Sequence, residues 1–187
     1  TYRVRLSVGD EVQEREFEIL PDPRSESTLS DLIAQFEFIQ DVNDKVSEAH
    51  EVIIEIRDVR QQMKDLKQRL GDEESVHPIR DQVRMIDSVM TEVEQALYQT
   101  KNQSRQDPLN FPIRLTNKLA HLNSLNRRGS FRPTEQSYEV KEALTREIDG
   151  HLSRYYNVRS TQVPELNRLV REQSVDAIMM KKDKPVN

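Results

Sequence analysis

The sequence predicts a mainly α-helical protein, an antiparallel helical bundle built on one long helix and preceded by a short N-terminal β-hairpin. Residues 28–70 contain neither Gly nor Pro and keep an apolar heptad repeat throughout. Later segments repeat apolar residues at helical spacing between Pro and Gly breaks, whereas residues 1–20 alternate with the period of a strand. A composition with 33% charged and only 5% aromatic residues suits long solvated helices.

Residues 1–20 predict the hairpin. The first strand carries apolar residues at alternate positions, Tyr2, Val4, Leu6 and Val8. Gly9 and Asp10 form a two-residue turn with Gly first, and a second strand runs from 12 to about 20. Val12 is out of phase with Phe17 and Ile19, which predicts a bulge or an edge strand. Because two strands alone are only marginally stable, the hairpin either packs on the helices or is the end of a β-sandwich.

A Pro-rich linker over 21–27 then leads to the long helix. Pro21 and Pro23 stiffen this connection, and Thr28 with Asp31 has the spacing of a capping box. The predicted seam follows two series, Leu32, Ile39, Val46, Ile53 and Val42, Ala49, Ile56, Met63, Leu70. Seven acids and one base in 28–55 give way to five bases and two acids in 56–70, as the helix dipole favours. Gly71 is predicted to end the helix in a left-handed cap.

Four shorter helices are predicted to cover this seam. The second begins near Pro78 and must run antiparallel to the first, because the connection between them is short. The third spans about 112–126, the fourth begins at Pro133 and Thr134, and the fifth begins near Pro164. Their inward positions are Ile79, Val83, Ile86, Met90, Val93, Leu97 and Thr100; Leu115, Leu119, Leu122 and Leu125; Tyr138, Leu144, Ile148, Leu152 and Tyr155; and Leu166, Leu169 and Val170. The bundle therefore spans 28–173, followed by a loose tail over 174–187.

The seam is predicted to be buried within one chain rather than between two. Arg60 and Lys67 fall on heptad core positions, where a parallel dimer would bring like charges together. The later helices also supply enough apolar positions to cover the long helix. The oligomeric state itself stays open.

No residue pattern predicts a reaction. The four histidines form no His-Glu-x-x-His motif, and the one Glu-x-x-His pair, Glu74 with His77, lies in a turn beside Pro78. Gly-x-Ser-x-Gly and Ser-x-x-Lys are missing, and four glycines cannot build a phosphate loop. The abundant carboxylates are interpreted as a solvated face. We therefore expect no catalytic, cofactor-binding or metal-binding residues and no cofactor.

Two weaker clusters allow alternative interpretations. Arg127, Arg128 and Arg132 surround Gly129 and could hold an anion, although an exposed loop is favoured. Tyr155 and Tyr156 could mark a binding surface, although one is expected to pack and the other to cap the bundle end.

The charge and hydropathy of the chain limit the kinds of partner that it is expected to bind. A net charge of −5 spread along the chain argues against nucleic acid, which needs a basic face. No apolar run approaches the length of a membrane span. Because the first residue is Thr1 rather than Met, the chain is expected to be a piece or a processed product of a longer protein.

The order of parts resembles a known family. The hairpin 1–8, the linker 21–24 and, most specifically, the stretch 97–119 with Asp107-Pro108-Leu109-Asn110-Phe111-Pro112 resemble the C-terminal region of bacterial BNR-repeat proteins. Those proteins carry sortilin-like (VPS10-like) β-propellers and are often labelled glycosyl hydrolases. The resemblance extends to about residue 173, and the Lys-rich end departs from it. It implies an upstream propeller and β-sandwich, a C-terminal helical module, and export to the periplasm, cell surface or medium.

The leading expectation is a non-catalytic C-terminal structural or docking module of such an exported protein. Its partners would be the upstream propeller and β-sandwich, with a possible protein partner on the helical surface. Any hydrolase chemistry would lie in the propeller, so no catalytic residue is transferred here. The alternatives are an accessory domain of a working glycoside hydrolase and an independent coiled-coil adaptor. Upstream propeller repeats with paired acids would favour the first alternative, and their absence the second.

Overall fold

A computed structural model describes residues 1–71 and 74–173. It begins with an antiparallel hairpin of β1 (Tyr2–Val8) and β2 (Glu11–Phe17). The register runs unbroken from Tyr2 opposite Phe17 to Val8 opposite Glu11, so the predicted bulge is wrong and both strands are edges. Gly9 opens the two-residue turn with a φ of 57°, the left-handed conformation that glycine adopts without steric cost.

The hairpin stands apart from the helices. Within the described part of the chain, its two strands contact each other and none of the helices. Tyr2, Val4, Leu6 and Val8 of β1 and Phe17 of β2 are each at least 47% exposed, and they share their face with Glu11, Gln13 and Arg15 of β2. Of the two alternatives for the hairpin, packing on the helices is therefore wrong, and its apolar side chains have no cover among the described residues.

The long helix α1 spans Leu29–Arg69 and begins as its sequence indicates. The Asp31 N–H donates to Thr28 Oγ1 at 3.2 Å, and the Thr28 N–H donates to Asp31 Oδ2 at 3.0 Å, which completes the capping box. The left-handed cap predicted at Gly71 is wrong, because Gly9 is the one glycine of the described chain with a positive φ. The buried Leu70, in an extended conformation, ends the helix instead.

Four further helices complete a bundle with a three-membered cross-section. They are α2 (His77–Leu97), α3 (Leu115–Asn126), α4 (Glu135–Asn157) and α5 (Val163–Glu172), and short 3₁₀ turns occur at Glu74–Val76 and Asp107–Leu109. α2 and then α3 run antiparallel to α1, since Glu94 lies beside residues 57 and 60 and Asn123 lies beside Asn43. α4 and α5 return parallel to α1.

Three rows of helix form the bundle: α1, α2 followed by α3, and α4 followed by α5. The second and third rows are each interrupted once, whereas α1 is continuous. Between α2 and α3, Thr116 Oγ1 donates to the Leu97 carbonyl at 2.8 Å. The start of α3 therefore lies beside the end of α2. Between α4 and α5 the chain stays helical through a π-helical turn, Val158–Gln162. Pro164 explains the widening, because its ring lacks an N–H and would clash with the carbonyl of the preceding turn. The fifth helix begins at Val163, next to the predicted start at Pro164, and the π-helical turn joins it to α4.

The predicted seams form one continuous core. The buried residues from the long seam are Val42, Ala49, Ile53, Ile56, Met63 and Leu70, joined by Phe38, Val52 and Leu66. Three predicted inward positions are exposed: Thr100 lies beyond the end of α2, and Leu125 and Tyr138 lie at the rim of the bundle. The mainly α-helical class is confirmed, and most of the predicted seam is buried by helices of the same chain. The loose tail predicted over 174–187 lies outside the described residues.

Gly150 gives a stability prediction inside α4. A Cβ at this exposed position would meet no atom within 4 Å. Replacing Gly150 by Ala should raise the free energy of unfolding by up to about 1 kcal/mol, because alanine loses less backbone entropy in a helix. Denaturant unfolding measures the change. An equal or lower stability for Gly150→Ala would contradict the fit of this position to an ordinary helix.

Candidate binding groove

A polar groove runs between α1 and α2. It contains two adjoining cavities of about 420 Å³ and 400 Å³, and Arg57, Arg60 and Glu94 line both of them. The first cavity is also lined by Gln61, Met63, Lys64, Lys67, Val83 and Asp87. The second is also lined by Thr91, Gln95, Tyr98, Gln99, Thr100 and Asn102. A further cavity of about 400 Å³ lies elsewhere, between α1 and α4, so size alone does not single out this groove.

Glu94 is the buried charge at the centre of the groove. Its residue is only 4% exposed, and each carboxylate oxygen accepts from a different arginine of α1. The Arg57 Nε atom lies 2.7 Å from Oε1, and the Arg60 Nη1 atom lies 2.9 Å from Oε2. Arg60 Nε also donates to Asp87 at 2.8 Å. A buried carboxylate needs such partners, since an unpaired one would be strongly destabilising.

Four cations of α1 form one stripe along the groove, Arg57, Arg60, Lys64 and Lys67. Residues 60 and 67 continue, in steps of seven, the series of 39, 46 and 53 that is apolar earlier in the helix. The earlier half of α1 lies beside α3, whereas the later half lies beside α2. Lys64 and Lys67 are exposed, and no acid among the described residues pairs with either.

The end of the groove near the α2–α3 loop is held by Tyr98 and Gln99. The Arg57 guanidinium lies 5.3 Å from the centre of the Tyr98 ring, which His50 also contacts edge-on. Gln99 is buried and donates to the Pro112 carbonyl at 2.8 Å, so it fixes the base of the loop. The arginines are thus held in place from both sides before any ligand arrives.

The groove is lined mainly by charged and polar side chains. Both oxygens of the Glu94 carboxylate already accept hydrogen bonds from guanidinium groups of α1. No Ser, Thr or Lys nucleophile lies against a histidine in its lining. Among the described residues, no group of three His, Asp or Glu side chains could hold a metal ion.

The four histidines considered in the sequence lie on four different helices. His50, His77, His121 and His151 lie on α1, α2, α3 and α4 respectively. His77 is the first residue of α2 and is exposed, as is Glu74 in the turn before it. Among the described residues, none of them belongs to a group of three His, Asp or Glu side chains that could hold a metal ion.

The arginine cluster around Gly129 serves the fold. Arg132 Nε donates to Asp31 Oδ1 at 2.8 Å, and Arg128 Nε donates to the Ser124 carbonyl at 3.2 Å. Hydrogen bonds from Thr28 and then from Arg132 lower the pKa of Asp31 to about 2. The loop after α3 is thereby tied to the start of α1. Of the three arginines, Arg132 is committed to an internal ion pair and is not available to an external anion.

One of the two tyrosines packs, as the sequence predicts, whereas Tyr156 lies beside the middle of α1 and does not cap the bundle end. Tyr155 is buried and its hydroxyl donates to Glu55, which also lies 3.3 Å from Arg159. Tyr156 is 40% exposed, and its hydroxyl lies 3.4 Å from Glu48. Burial first, and then the hydrogen bond to Glu55, raise the pKa of Tyr155. These contacts hold α4 against α1 at the π-helical joint.

The chain matches no family model, no curated protein and no solved structure in three separate comparisons. In a search of the described residues, no helix combines the length and the hydropathy that a membrane span requires.

Sequence inspection missed the groove although it contained the signal. The positions of Arg60 and Lys67 on the heptad seam were noticed as an argument about assembly. Adding Arg57 and Lys64 gives a basic stripe at helical spacing, which indicates a charged face. The burial of Glu94 could not be predicted, because it depends on which turn of α2 faces the two arginines.

Proposed function

We propose that this chain is a non-catalytic structural and docking module of an exported BNR/sortilin-like propeller protein. In this proposal the hairpin completes a β-domain of the same protein, and the helical bundle is a rigid element attached to it. The resemblance of the stretch 97–119 supplies the family. The exposed apolar face of the hairpin is the single observation that carries the docking role.

The hairpin face needs a cover that the described chain lacks. Tyr2 stacks on Phe17 with ring centres 5.7 Å apart, and Val4, Leu6 and Val8 continue an apolar stripe along β1, opposite the polar side chains of β2. Both strands also leave unpaired backbone groups at their outer edges, which favour pairing with another strand. Further strands of a β-sandwich would satisfy both needs at once.

The bundle supports the same division of roles. Its core is closed by residues of its own five helices, and the connection over 18–28 is the one covalent link to the hairpin. A unit with a complete core can hold its shape while an adjoining hairpin is inserted elsewhere.

Hydrogen exchange on the chain tests this proposal. We expect amides of residues 1–20 to exchange much faster than those of residues 46–63, because a lone two-stranded hairpin opens readily in water. Leu6→Lys on the exposed hairpin face should also leave the melting temperature of the bundle unchanged. Protection of the hairpin equal to that of residues 46–63 would show that it is integral to the helical fold and would overturn the proposal.

A further inference from the structure

We propose that the groove between α1 and α2 binds an acidic polypeptide segment, with the stripe Arg57, Arg60, Lys64 and Lys67 facing its carboxylates. This site lies on the helices rather than on the hairpin, so the binding proposal can be tested independently of the docking role proposed above.

Charge is the first step. The lining of the first cavity carries four cations of α1 against two acids, Asp87 and Glu94. Both acids are already paired with Arg60, and Glu94 is paired with Arg57 as well. Lys64 and Lys67 are left without an acidic partner among the described residues. A positive surface therefore persists in a chain whose net charge is −5.

Unused hydrogen-bond donors point in the same direction. Arg57 uses Nε for Glu94, and Arg60 uses Nε and Nη1 for its two acids. In the described structure this leaves both terminal nitrogens of Arg57, and Nη2 of Arg60, without an acceptor. Guanidinium groups with free donors bind carboxylates with directional, charge-assisted hydrogen bonds. Glu94 fixes the two arginines in advance, which reduces the entropy lost on binding.

The length of the stripe selects an extended ligand. From Arg57 to Lys67 the helix rises about 15 Å, and the two cavities adjoin along the groove. One small anion can contact only part of this length. Several carboxylates spaced along a chain can contact all four cations.

The other lining residues favour a peptide over a nucleic acid. Gln61, Gln95 and Asn102 carry amide groups that donate to carbonyls and accept from N–H groups, as a peptide backbone requires. Tyr98 is the one aromatic residue of the lining, and Arg57 already covers its ring. A platform for stacking bases is therefore missing from the groove.

The test measures binding of a fluorescently labelled oligoglutamate to the whole chain by anisotropy, at low and at physiological salt. Lys64→Glu with Lys67→Glu should weaken binding about tenfold, since two ion pairs are replaced by repulsion. The matched control is Lys118→Glu with Arg105→Glu, which changes the net charge equally at exposed positions outside the groove. The control should stay within about twofold of wild type. The milder Lys64→Gln with Lys67→Gln should fall between them, and thermal melts check that every variant is folded.

Several results would overturn the proposal. They are the absence of oligoglutamate binding to the wild-type chain, an equal loss in the groove and control variants, and binding that is insensitive to salt. A labelled DNA duplex or inorganic phosphate that binds with the same dependence on Lys64 and Lys67 would show that the site takes phosphates. In that case the assignment to an acidic polypeptide is wrong.

Discussion

Ile53→Asp should lower the free energy of unfolding by about 3–5 kcal/mol, because it places an unpaired carboxylate in a closed apolar core. Ile53 is 3% exposed and lies in the middle of α1, where the core is built from several helices. Among the described residues, the core cluster around Ile53 contains no cation that could pair with the new charge. The expected readout is a large fall in melting temperature with no change of mass in solution.

The neighbouring residue provides a matched control. Ile54 carries the same side chain one position further along the same helix, and it is 65% exposed. Ile54→Asp should change stability by no more than about 0.5 kcal/mol. Sedimentation of wild type and both variants then separates a core from an assembly surface. If wild type is a stable dimer and Ile53→Asp yields a folded monomer, α1 is an assembly surface and the intramolecular core is wrong.

Much of this fold could be predicted because its signals are local. The capping box at Thr28 needs only two side chains three residues apart, and the hairpin turn needs only a glycine at the first turn position. The apolar seam of α2 is buried at every predicted position from Ile79 to Leu97. Each of these features is decided by residues within one or two turns of one another.

The features that were missed depend on packing between distant elements. Glycine is the residue type that favours a left-handed cap, which is why Gly71 was expected to form one. Instead Leu70 is buried in the core, and Arg80 donates to the Gly71 carbonyl at 2.7 Å. Leu125 continues the helical repeat, but it lies at the edge of α3 and remains exposed. The fifth helix begins beside Pro164 as predicted, but the π-helical turn that joins it to α4 has no signal in the local pattern. Local pattern could not distinguish these outcomes.

The candidate groove shows the same division. The sequence predicts the stripe of cations, because helical spacing alone brings them to one side of α1. The role of Glu94 cannot be predicted from the sequence, since Glu94 becomes a buried ion-pair partner only when α2 packs antiparallel at the observed register. The exposed hairpin face is similar, because alternation predicts an apolar side but not whether the chain covers it.

Tyr155→Ala is the second substitution expected to have a large effect. Tyr155 is 1% exposed and is among the largest fully buried side chains, at the point where α4 meets its π-helical extension. Removing a buried aromatic ring costs about 3–5 kcal/mol through lost contacts and the cavity left behind. Chemical denaturation should show this loss, with unfolding shifted to much lower denaturant.

Tyr155→Phe separates the ring from the hydroxyl. The phenyl ring keeps the packing, and Glu55 keeps Arg159 at 3.3 Å, so the loss should be only about 1 kcal/mol. The pH dependence carries the second test. Because the folded state raises the pKa of Tyr155 above its ordinary value of 10, the hydroxyl's contribution is complete below that pH and is lost as pH rises above it. The gap between wild type and Tyr155→Phe should therefore shrink in alkali, whereas the gap to Tyr155→Ala should remain large. Equal losses for Phe and Ala at neutral pH would mean that the hydrogen bond to Glu55, and not the buried ring, holds α4 against α1.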